Sequence, residues 1–368
     1  MKKTAFFLLV FLMSLTLHSQ IQNDDRPHKG RWDFKPEKIW EVDKAGNDDF
    51  GRIAELLVPD DEHSNIYVRD FKHNVSYIFD ENGQFLGSFA KQGTGEGELT
   101  RYLNRFSVED RIVLATPEKL HFYAEDGTFV SSFENNIFLR FPLLFLNKDE
   151  FLYAPPLPRS PVSQKKLMRY NLASGEDKLV LDFSQSTNSV ETEKPAPMLM
   201  IFGLTPQVRL ASDKENIFFG RSDEYTLFVA DLEGNRDFSF RLNREKNKVT
   251  KEDKTNHFQG LDIPQDKLEA IIEQLPDITT CFSHLEIVNG MICVYAISGI
   301  ERTHDQQSID IFSEKGEYLY QGIMKFGDDL KFGSPSNLVI KKNFVYVILE
   351  SRQGRRTLAK YRISFPGI

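Results

Sequence analysis

The feature that most constrains this chain is a unit of alternating apolar runs that recurs six times along its 368 residues. The clearest copy extends from Ile66 to Phe89 and contains three apolar runs, with a polar loop after the first and the turn Asp80-Glu81-Asn82-Gly83 after the second. Alternation with a period of two residues buries one face of a strand, and glycine supplies the positive φ that a tight hairpin needs. This copy therefore predicts three antiparallel strands that pair in chain order.

The weaker copies keep a glycine turn at the same point, and a further apolar run precedes every unit. Besides Gly83, the turn glycines are Gly127, Gly175, Gly234 and Gly316. The additional runs are Ile53 to Val58, Arg105 to Val108, Phe141 to Leu146, Val208 to Ala211, His284 to Val288 and Leu338 to Ile340. The units are therefore four-stranded, and six such units in one chain predict an all-β, six-bladed β-propeller.

The two ends of the chain predict how the ring closes. The sixth unit ends at Ile368 before a fourth strand, while an unpaired strand pattern, Lys38 to Asp43, stands near the N-terminus. Pairing that strand with the last unit would close the ring and remove two exposed strand edges. We therefore predict one propeller domain over residues 21–368. Its blades lie near 50–90, 103–134, 140–183, 207–242, 282–324 and 336–365, and residues 38–43 complete the last one.

The units are longer than four strands require, and the surplus falls in residues 184–205 and 243–280. In the second insertion Pro264 suits a first helical turn, and the apolar positions Leu268, Ile271, Ile272 and Leu275 share one helical face. The pattern predicts one short helix that covers a blade junction.

The N-terminus predicts export. Lys2 and Lys3 precede an apolar stretch that ends at Leu17, and small or polar residues follow it, which is typical of a signal peptide cleaved after Ser19 or Gln20. The apolar run is too short for a membrane span, which needs about 20 residues. We therefore expect residues 1–20 to be removed, no membrane span to remain, and the protein to reach the periplasm or the extracellular space.

Charge and cysteine content narrow the partners. The formal charge is −8, and it becomes more negative when Lys2 and Lys3 are lost. This balance argues against nucleic acid or an anionic membrane as a partner. Around the turn at Asn289-Gly290, Cys293 should face Glu286, so a disulfide with Cys281 is not expected.

One unit resembles a known repeat. It contains Tyr67-Val68, Asp70, Asn74, Phe79-Asp80 and Gly83, followed by Lys91-Gln92-Gly93-Thr94-Gly95-Glu96-Gly97. This stretch resembles an NHL repeat, and the chain after residue 20 resembles secreted bacterial six-bladed propellers of the NHL-repeat and TolB-like type. The other units keep the strands and turns but lose the Asp and Asn of the motif. No Lys-Ser/Thr follows the glycines, so they predict a turn between blades and not a phosphate loop.

The loops predict where a ligand would bind. Loops between the second and third strands open on the same face as the connections between blades, and function usually lies on such loops. In this chain those loops hold more basic than acidic side chains, although the whole chain is acidic. Arginine suits carboxylates, sulfates and phosphates, so we expect an anionic ligand unless neighbouring carboxylates pair with these residues. The predicted ligand-binding residues are Arg69, Lys72, His73, Arg159, Arg221, Arg302, His304 and Arg352.

Two functions remain open. The first is a non-enzymatic, monomeric module that binds a peptide, glycan or protein without a cofactor, because no catalytic spacing is assembled in the sequence. The second, implied by enzymes among similar propellers, is a metal-dependent hydrolase or lyase with an ion such as Ca²⁺ in the central channel. Oxygen ligands for that ion would come from Asp70, Asn104, Asp223, Glu224 and Asp305. The sequence favours binding and names no catalytic residue.

Overall fold

The computed structural model describes residues 19–59, 65–136, 140, 142–155, 166–182, 203–213, 215–259, 263–300, 304–332 and 337–366. Within these ranges the regular elements are strands and two short helices. The strands form six antiparallel sheets that are the blades of a six-bladed β-propeller. The predicted all-β fold class is therefore confirmed.

The N-terminal segment contains five short strands. They are β1 (Ser19–Asp24), β2 (Arg31–Asp33), β3 (Glu37–Val42), β4 (Lys44–Ala45) and β5 (Asp48–Asp49). The last two form a small hairpin that leads into the first blade.

Blades 1 to 3 are four-stranded, and each strand pairs with the next along the chain. Blade 1 consists of β6 (Ile53–Leu57), β7 (Ile66–Asp70), β8 (Val75–Phe79) and β9 (Phe85–Phe89). Blade 2 consists of β10 (Asn104–Val108), β11 (Arg111–Ala115), β12 (Lys119–Ala124) and β13 (Phe129–Glu134). Blade 3 consists of β14 (Pro142–Asn147), β15 (Glu150–Tyr153), β16 (Lys166–Asn171) and β17 (Asp177–Asp182).

Blades 4 to 6 continue the pattern. Blade 4 consists of β18 (Val208–Ser212), β19 (Asn216–Arg221), β20 (Thr226–Asp231) and β21 (Arg236–Asn243). Blade 5 consists of β22 (Phe282–Val288), β23 (Met291–Ala296), β24 (Gln306–Phe312) and β25 (Tyr318–Lys325). Blade 6 contains β26 (Leu330–Phe332) and β27 (Leu338–Lys341), which both pair with β28 (Phe344–Ser351), and then β29 (Arg356–Arg362).

The turn glycines behave as the repeat predicts. Gly83, between β8 and β9, has a φ of 81°, a left-handed conformation that costs glycine little because it has no Cβ. The four corresponding glycines of blades 2 to 5 also have positive φ. The register of blade 5 places Cys293 opposite Glu286, also as predicted, and both cysteines are free thiols.

Hydrophobic clusters fill the spaces between neighbouring blades. One cluster packs Val68 and Phe79 of blade 1 against Ile348 of blade 6, and equivalent clusters join each other pair of consecutive blades. Because each sheet buries both faces against its neighbours, the core forms a ring around the central channel. The first strand of each blade lies innermost, beside the first strands of adjacent blades.

The N-terminal segment follows the outer rim of blades 4, 5 and 6. β3 pairs antiparallel with β29 and completes blade 6, so the predicted ring closure is confirmed. β1 and β2 pair in parallel with β21 and β25, where they add fifth strands to blades 4 and 5. The sequence had not indicated these two pairings. We call residues 19–42 the N-terminal belt.

Buried side chains anchor this belt. Asn23 donates to the carbonyl oxygen of Gly316 at 2.9 Å and accepts from the Tyr318 amide at 2.9 Å. Phe34 is fully buried in the cluster between blades 5 and 6, and Trp32 Nε1 donates to the Ser364 carbonyl oxygen at 2.9 Å. The belt is therefore part of the core as well as the hydrogen-bonded rim.

The second insertion contains two helices where the sequence predicted one. α1 (Lys251–His257) begins with a capping box between Thr250 and Asp253, and α2 (Gln265–Gln274) follows Pro264 as expected. Ile272 and Leu275 pack in a small separate cluster with Leu204, which precedes blade 4, and with Ile300, which follows β23 of blade 5. The sequence does not predict α1, because its residues, KEDKTNH, are polar and form no apolar face. None of the described helices has the length and hydrophobicity needed to cross a membrane.

Candidate functional site

Arg69, the first predicted binding residue, lies at the end of β7 and is only 4% exposed. Its Nη1 donates to the Ala90 carbonyl oxygen at 2.7 Å, and its guanidinium lies 5.1 Å from the centroid of the Tyr102 ring. Burial lowers the pKa of Arg69, and nearby Tyr102 and Glu55 partly offset this effect. The side chain therefore connects blade 1 to the segment that leads into blade 2.

Lys72 and His73 are exposed in the turn between β7 and β8, which Asp70 orders. The buried Asp70 carboxylate accepts hydrogen bonds from the amides of Gly51, Arg52, Lys72 and His73, at 2.7 to 3.1 Å. Burial alone would raise the pKa of Asp70, but these four donors outweigh it and the pKa is lowered. The carboxylate therefore holds this turn against the segment before β6, and the Lys72 side chain faces solvent.

The other described candidates also contact nearby residues of the chain. Arg221 Nε lies 2.9 Å from Asp223 Oδ1, and Arg352 forms an exposed ion pair with Asp329. The His304 backbone forms an isolated bridge with Phe332. These contacts fix each side chain locally and do not assemble them into one site. Two predicted residues lie outside the described residues: Arg159 and Arg302.

The oxygen ligands proposed for a metal ion are similarly engaged. Asp70 is saturated by amides, Asp223 is paired with Arg221, and Asn104 Oδ1 accepts from the Arg105 amide at 2.9 Å. Burial and the charge of Asp223 raise the pKa of Glu224, which indicates that a negative charge is disfavoured there. In the part of the chain that the structure describes, no group of three or more His, Cys, Asp or Glu side chains could hold a metal.

A different set of polar residues lies on the innermost strands. Glu55, Arg105, Arg209 and His284 each stand within the first three residues of β6, β10, β18 or β22. These strands begin at the face on which the blade-connecting loops lie, and they line the channel. The four residues therefore lie at the channel mouth, on the face that the sequence predicts for ligand binding.

Glu55 and Arg105 form a pair that joins blades 1 and 2. Arg105 Nη1 donates to Glu55 Oε2 at 2.9 Å, its Nη2 donates to the Leu56 carbonyl oxygen at 2.7 Å, and Tyr102 donates to the same Glu55 oxygen. Glu55 adopts a φ of 70° at a shift in the register of β6 and β7, and its amide donates to Asn337 Oδ1. A non-glycine residue rarely adopts this conformation, so the surrounding contacts must hold it.

Among the described residues, Arg209 has no such partner. Its Nε is buried, and within the described residues it has neither a hydrogen-bond acceptor nor a paired carboxylate. Burial lowers the pKa of Arg209 to about 10, with no compensation from an acidic group. A guanidinium at this pKa is still charged at neutral pH, so the wall of blade 4 presents an uncompensated positive charge.

The charge of Arg209 affects the pKa of His284, which lies on blade 5. Burial, together with the positive charges of Arg209 and Arg105, lowers its pKa to about 4. Its ring packs edge-on against Tyr295, with centroids 5.2 Å apart. The imidazole is therefore neutral at pH 7, and residues of blades 2, 4 and 5 act on one another across the channel.

This arrangement can bind an anion. A guanidinium offers paired donors to carboxylate, sulfate or phosphate oxygens. The sequence contained a signal for the site, since otherwise apolar inner strands such as VRLAS carry a single charged residue near their start. The prediction missed it because only loop residues were considered as binding residues.

Comparisons with known proteins concern the fold. A protein family described as 6-bladed beta-propeller (DUF5128) matches residues 49–228, and no curated protein matches the chain significantly. A DUF4221 family member from Bacteroides vulgatus is similar in structure, with a TM-score of 0.56 and 9% identity over 86% of this chain and 93% of that protein. A Bacteroides fragilis protein described as a candidate exported protein has a TM-score of 0.54 and 11% identity, over 94% of this chain and 100% of that protein.

Proposed function

We propose that this chain is an exported, non-enzymatic propeller scaffold that binds an anionic group of its ligand at the channel mouth. Arg209 is the observation that carries the proposal, because its guanidinium, whose Nε is buried, has no counterion within the described residues. An unpaired buried charge is costly, and a bound anion would supply the missing partner.

The neighbours of Arg209 support an anion over a cation. Arg105 adds a second guanidinium, although Glu55 balances it, and His284 can gain a proton when an anion is bound nearby. A Ca²⁺ ion at this position would be repelled by both arginines. The channel mouth therefore favours binding over the metal-dependent hydrolase or lyase. Metal analysis of the purified protein provides a check, since stoichiometric Ca²⁺ would support the enzyme instead.

The exposed loop residues extend the same chemistry outward. Lys72, His73 and Arg352 lie on loops of the face at which the channel mouth opens. A larger ligand with several carboxylate, sulfate or phosphate groups, such as an acidic glycan or an acidic peptide or protein, could contact them while one group reaches Arg209. Arg159 and Arg302 remain predicted members of this surface.

The proposal also includes export of the protein and an NHL-repeat type for its first blade. Residues 1–20 begin with two lysines and continue with an apolar stretch, which supports a cleaved signal peptide. The description of the similar Bacteroides fragilis protein as a candidate exported protein agrees with this. The role of Asp70 in ordering the first blade supports the NHL-repeat, TolB-like assignment of that unit. We infer that the protein acts as a monomer in the periplasm or outside the cell.

Binding of a sulfated oligosaccharide, with its unsulfated counterpart as the negative probe, tests the channel site. Calorimetry should detect salt-dependent binding of the sulfated probe, and Arg209→Gln should weaken it at least about tenfold, or 1.4 kcal/mol. Arg241→Gln removes an exposed positive charge from β21 of the same blade and should leave the affinity unchanged. Equal binding by both variants, or tight binding of the unsulfated probe, would contradict the proposal.

A further inference from the structure

A depression of about 570 Å³ lies at the outer part of blade 2, between that blade and the glycine-rich connection from blade 1. Its lining includes Glu96, Glu98, Glu118, His121, Ser131 and Ser132. None of these residues belongs to the channel mouth. The depression is therefore a second candidate site with its own chemistry.

The glycines of the connection build one wall of this depression. A Cβ on Gly93 would lie 1.9 Å from Glu98 Oε2, and one on Gly97 would lie 2.8 Å from the Cβ of Phe129. The Glu98 side chain could move away from a residue larger than Gly93, but Gly97, with a φ of 73°, is needed for the loop to pack against β13. The Gly95 amide donates to Glu98 Oε2 at 2.9 Å and fixes this carboxylate beside the depression.

His121 forms part of the floor. It is 8% exposed, and its Nδ1 is buried without a hydrogen-bond partner among the described residues. Burial lowers the pKa of His121, and the charge of Lys119 adds to the effect, so the ring is neutral at pH 7. A buried ring nitrogen without a partner is costly, and a polar group of a ligand in the depression would satisfy it.

The charge of the lining selects the ligand. Glu96, Glu98 and Glu118 face one lysine, Lys119, which already pairs with Glu134 at 2.9 Å. The carboxylates are thus in excess, and an anionic ligand would be repelled. A cationic side chain can interact with the carboxylates and also donate a hydrogen bond to the neutral imidazole of His121.

The open edge of blade 2 forms the remaining side. Val130, Ser131 and Ser132 are consecutive, exposed residues of β13, the outermost strand of this blade in the described part of the chain. An outermost strand presents unpaired N–H and C=O groups that can pair with a further strand. The same fold shows this at blades 4 and 5, where β1 and β2 occupy the equivalent edges in parallel.

We propose that the outer edge of blade 2 binds an extended peptide of a partner protein, which pairs with β13 and inserts a lysine or arginine side chain into the depression. Backbone pairing supplies affinity that does not depend on sequence, and the acidic depression supplies selectivity for the basic residue. This proposal is independent of anion binding at the channel mouth, because it involves other residues and the opposite charge.

A fluorescent seven-residue peptide of alternating Thr and Val with a central Lys, blocked at both ends, provides the probe. At low ionic strength, anisotropy should show it binding about tenfold more tightly than the same peptide with a central Glu. Methylation of its backbone nitrogens should also weaken binding about tenfold, because strand pairing needs those donors. If the Lys and Glu peptides bind alike, or methylation has no effect, the proposal is wrong.

Matched variants locate the site. The double substitution Glu96→Gln and Glu118→Gln should weaken binding of the Lys peptide about tenfold. Glu125→Gln removes an exposed carboxylate from the turn between β12 and β13 and should have no effect. Arg209→Gln should also leave peptide binding intact, which separates this site from the channel. Loss of binding with Glu125→Gln, or displacement of the peptide by a neutral oligosaccharide, would overturn the proposal.

Discussion

Blades 4 to 6 and blades 1 to 3 share one strand pattern but differ at their outer rims. The belt adds β1 and β2 to blades 4 and 5 and completes blade 6 with β3, whereas within the described residues β9, β13 and β17 end blades 1 to 3 without a further strand. The open strands also expose apolar side chains, namely Leu86, Val130 and Leu179. The difference shows that a blade of this fold is stable with four strands and has room for a fifth.

The channel shows a parallel difference between the two halves. On the side of blades 1 and 2, Arg105 is paired with Glu55, while Arg209 of blade 4 is unpaired within the described residues. Blades 4 to 6, whose outer edges the belt covers, therefore contain the unpaired arginine. Blades 1 to 3, whose outer edges are uncovered, contain the paired one. This contrast separates the two proposed sites by both position and sign of charge.

Removing the belt should have the largest effect on this comparison. Deletion of residues 21–44 removes the strand that completes blade 6 together with Phe34 and Trp32, so we expect the melting temperature to fall by about 10 °C or more. Differential scanning calorimetry measures it. A synthetic peptide of residues 19–44 added in trans should restore part of the loss, and an unchanged melting temperature would show that the belt does not close the ring.

A single residue of the belt sharpens the comparison. Phe34 is fully buried against Gly322 and Phe365, so Phe34→Ala should lower the free energy of unfolding by about 3 to 5 kcal/mol. Leu86→Ala, on the open rim of blade 1 where the side chain is 52% exposed, should cost less than about 0.5 kcal/mol. Urea unfolding of both variants measures the difference, and equal costs would refute it.

Low pH should reduce the stability of the fold through His284 of blade 5. Its folded-state pKa of about 4 lies below its ordinary value of 6.5, so between these values the unfolded chain binds a proton that the folded chain does not. Stability from this residue is therefore full above pH 6.5 and decreases as the pH falls to 4, by about 2 to 3 kcal/mol at pH 4.5.

Unfolding at pH 7 and pH 4.5 tests this dependence. His284→Gln should lose stability less steeply than the wild type as the pH is lowered, and His28→Gln, an exposed position on the belt, should behave as the wild type. Parallel profiles for the wild type and His284→Gln would contradict the assigned pKa.

The smallest expected effect concerns the two arginines. Arg105→Gln leaves Glu55 without its partner and should lower the free energy of unfolding by about 2 kcal/mol. Arg209→Gln removes an unpaired buried charge, so without ligand it should leave stability unchanged or raise it by up to about 1 kcal/mol. Chemical denaturation should therefore show a loss of stability for Arg105→Gln and none for Arg209→Gln, and a clear loss with Arg209→Gln would mean that its charge is compensated.

The sequence was sufficient for the parts of the fold with local signals. The turn glycines, the strand that completes blade 6 and helix α2 all have patterns within a few residues, and each was predicted. The strands β1 and β2 were not, because SQIQND and RWD are short and largely polar, and their partners lie more than 200 residues away. Pairing in parallel over such a distance leaves no local pattern to detect.

The candidate sites were predicted less completely for a related reason. The sequence predicted basic residues on one loop face, but it could not show that Arg69 is buried against Tyr102 or that Arg221 lies beside Asp223. Nor could it show that Arg209 and Arg105 lie near enough to His284 to lower its pKa, since the three residues come from blades 4, 2 and 5. Such a site depends on the closure of the ring, which alternation within a strand does not describe.

The belt also determines when the ring can be completed during synthesis. Asn23 leaves the ribosome early, but its partner Gly316 follows 293 residues later, and the partner of Trp32, Ser364, follows 332 residues later. Closing loops of this length is slow, and the rims of blades 4 to 6 stay uncovered until it happens. We therefore expect the newly made chain to remain incompletely folded until its last blade is synthesised.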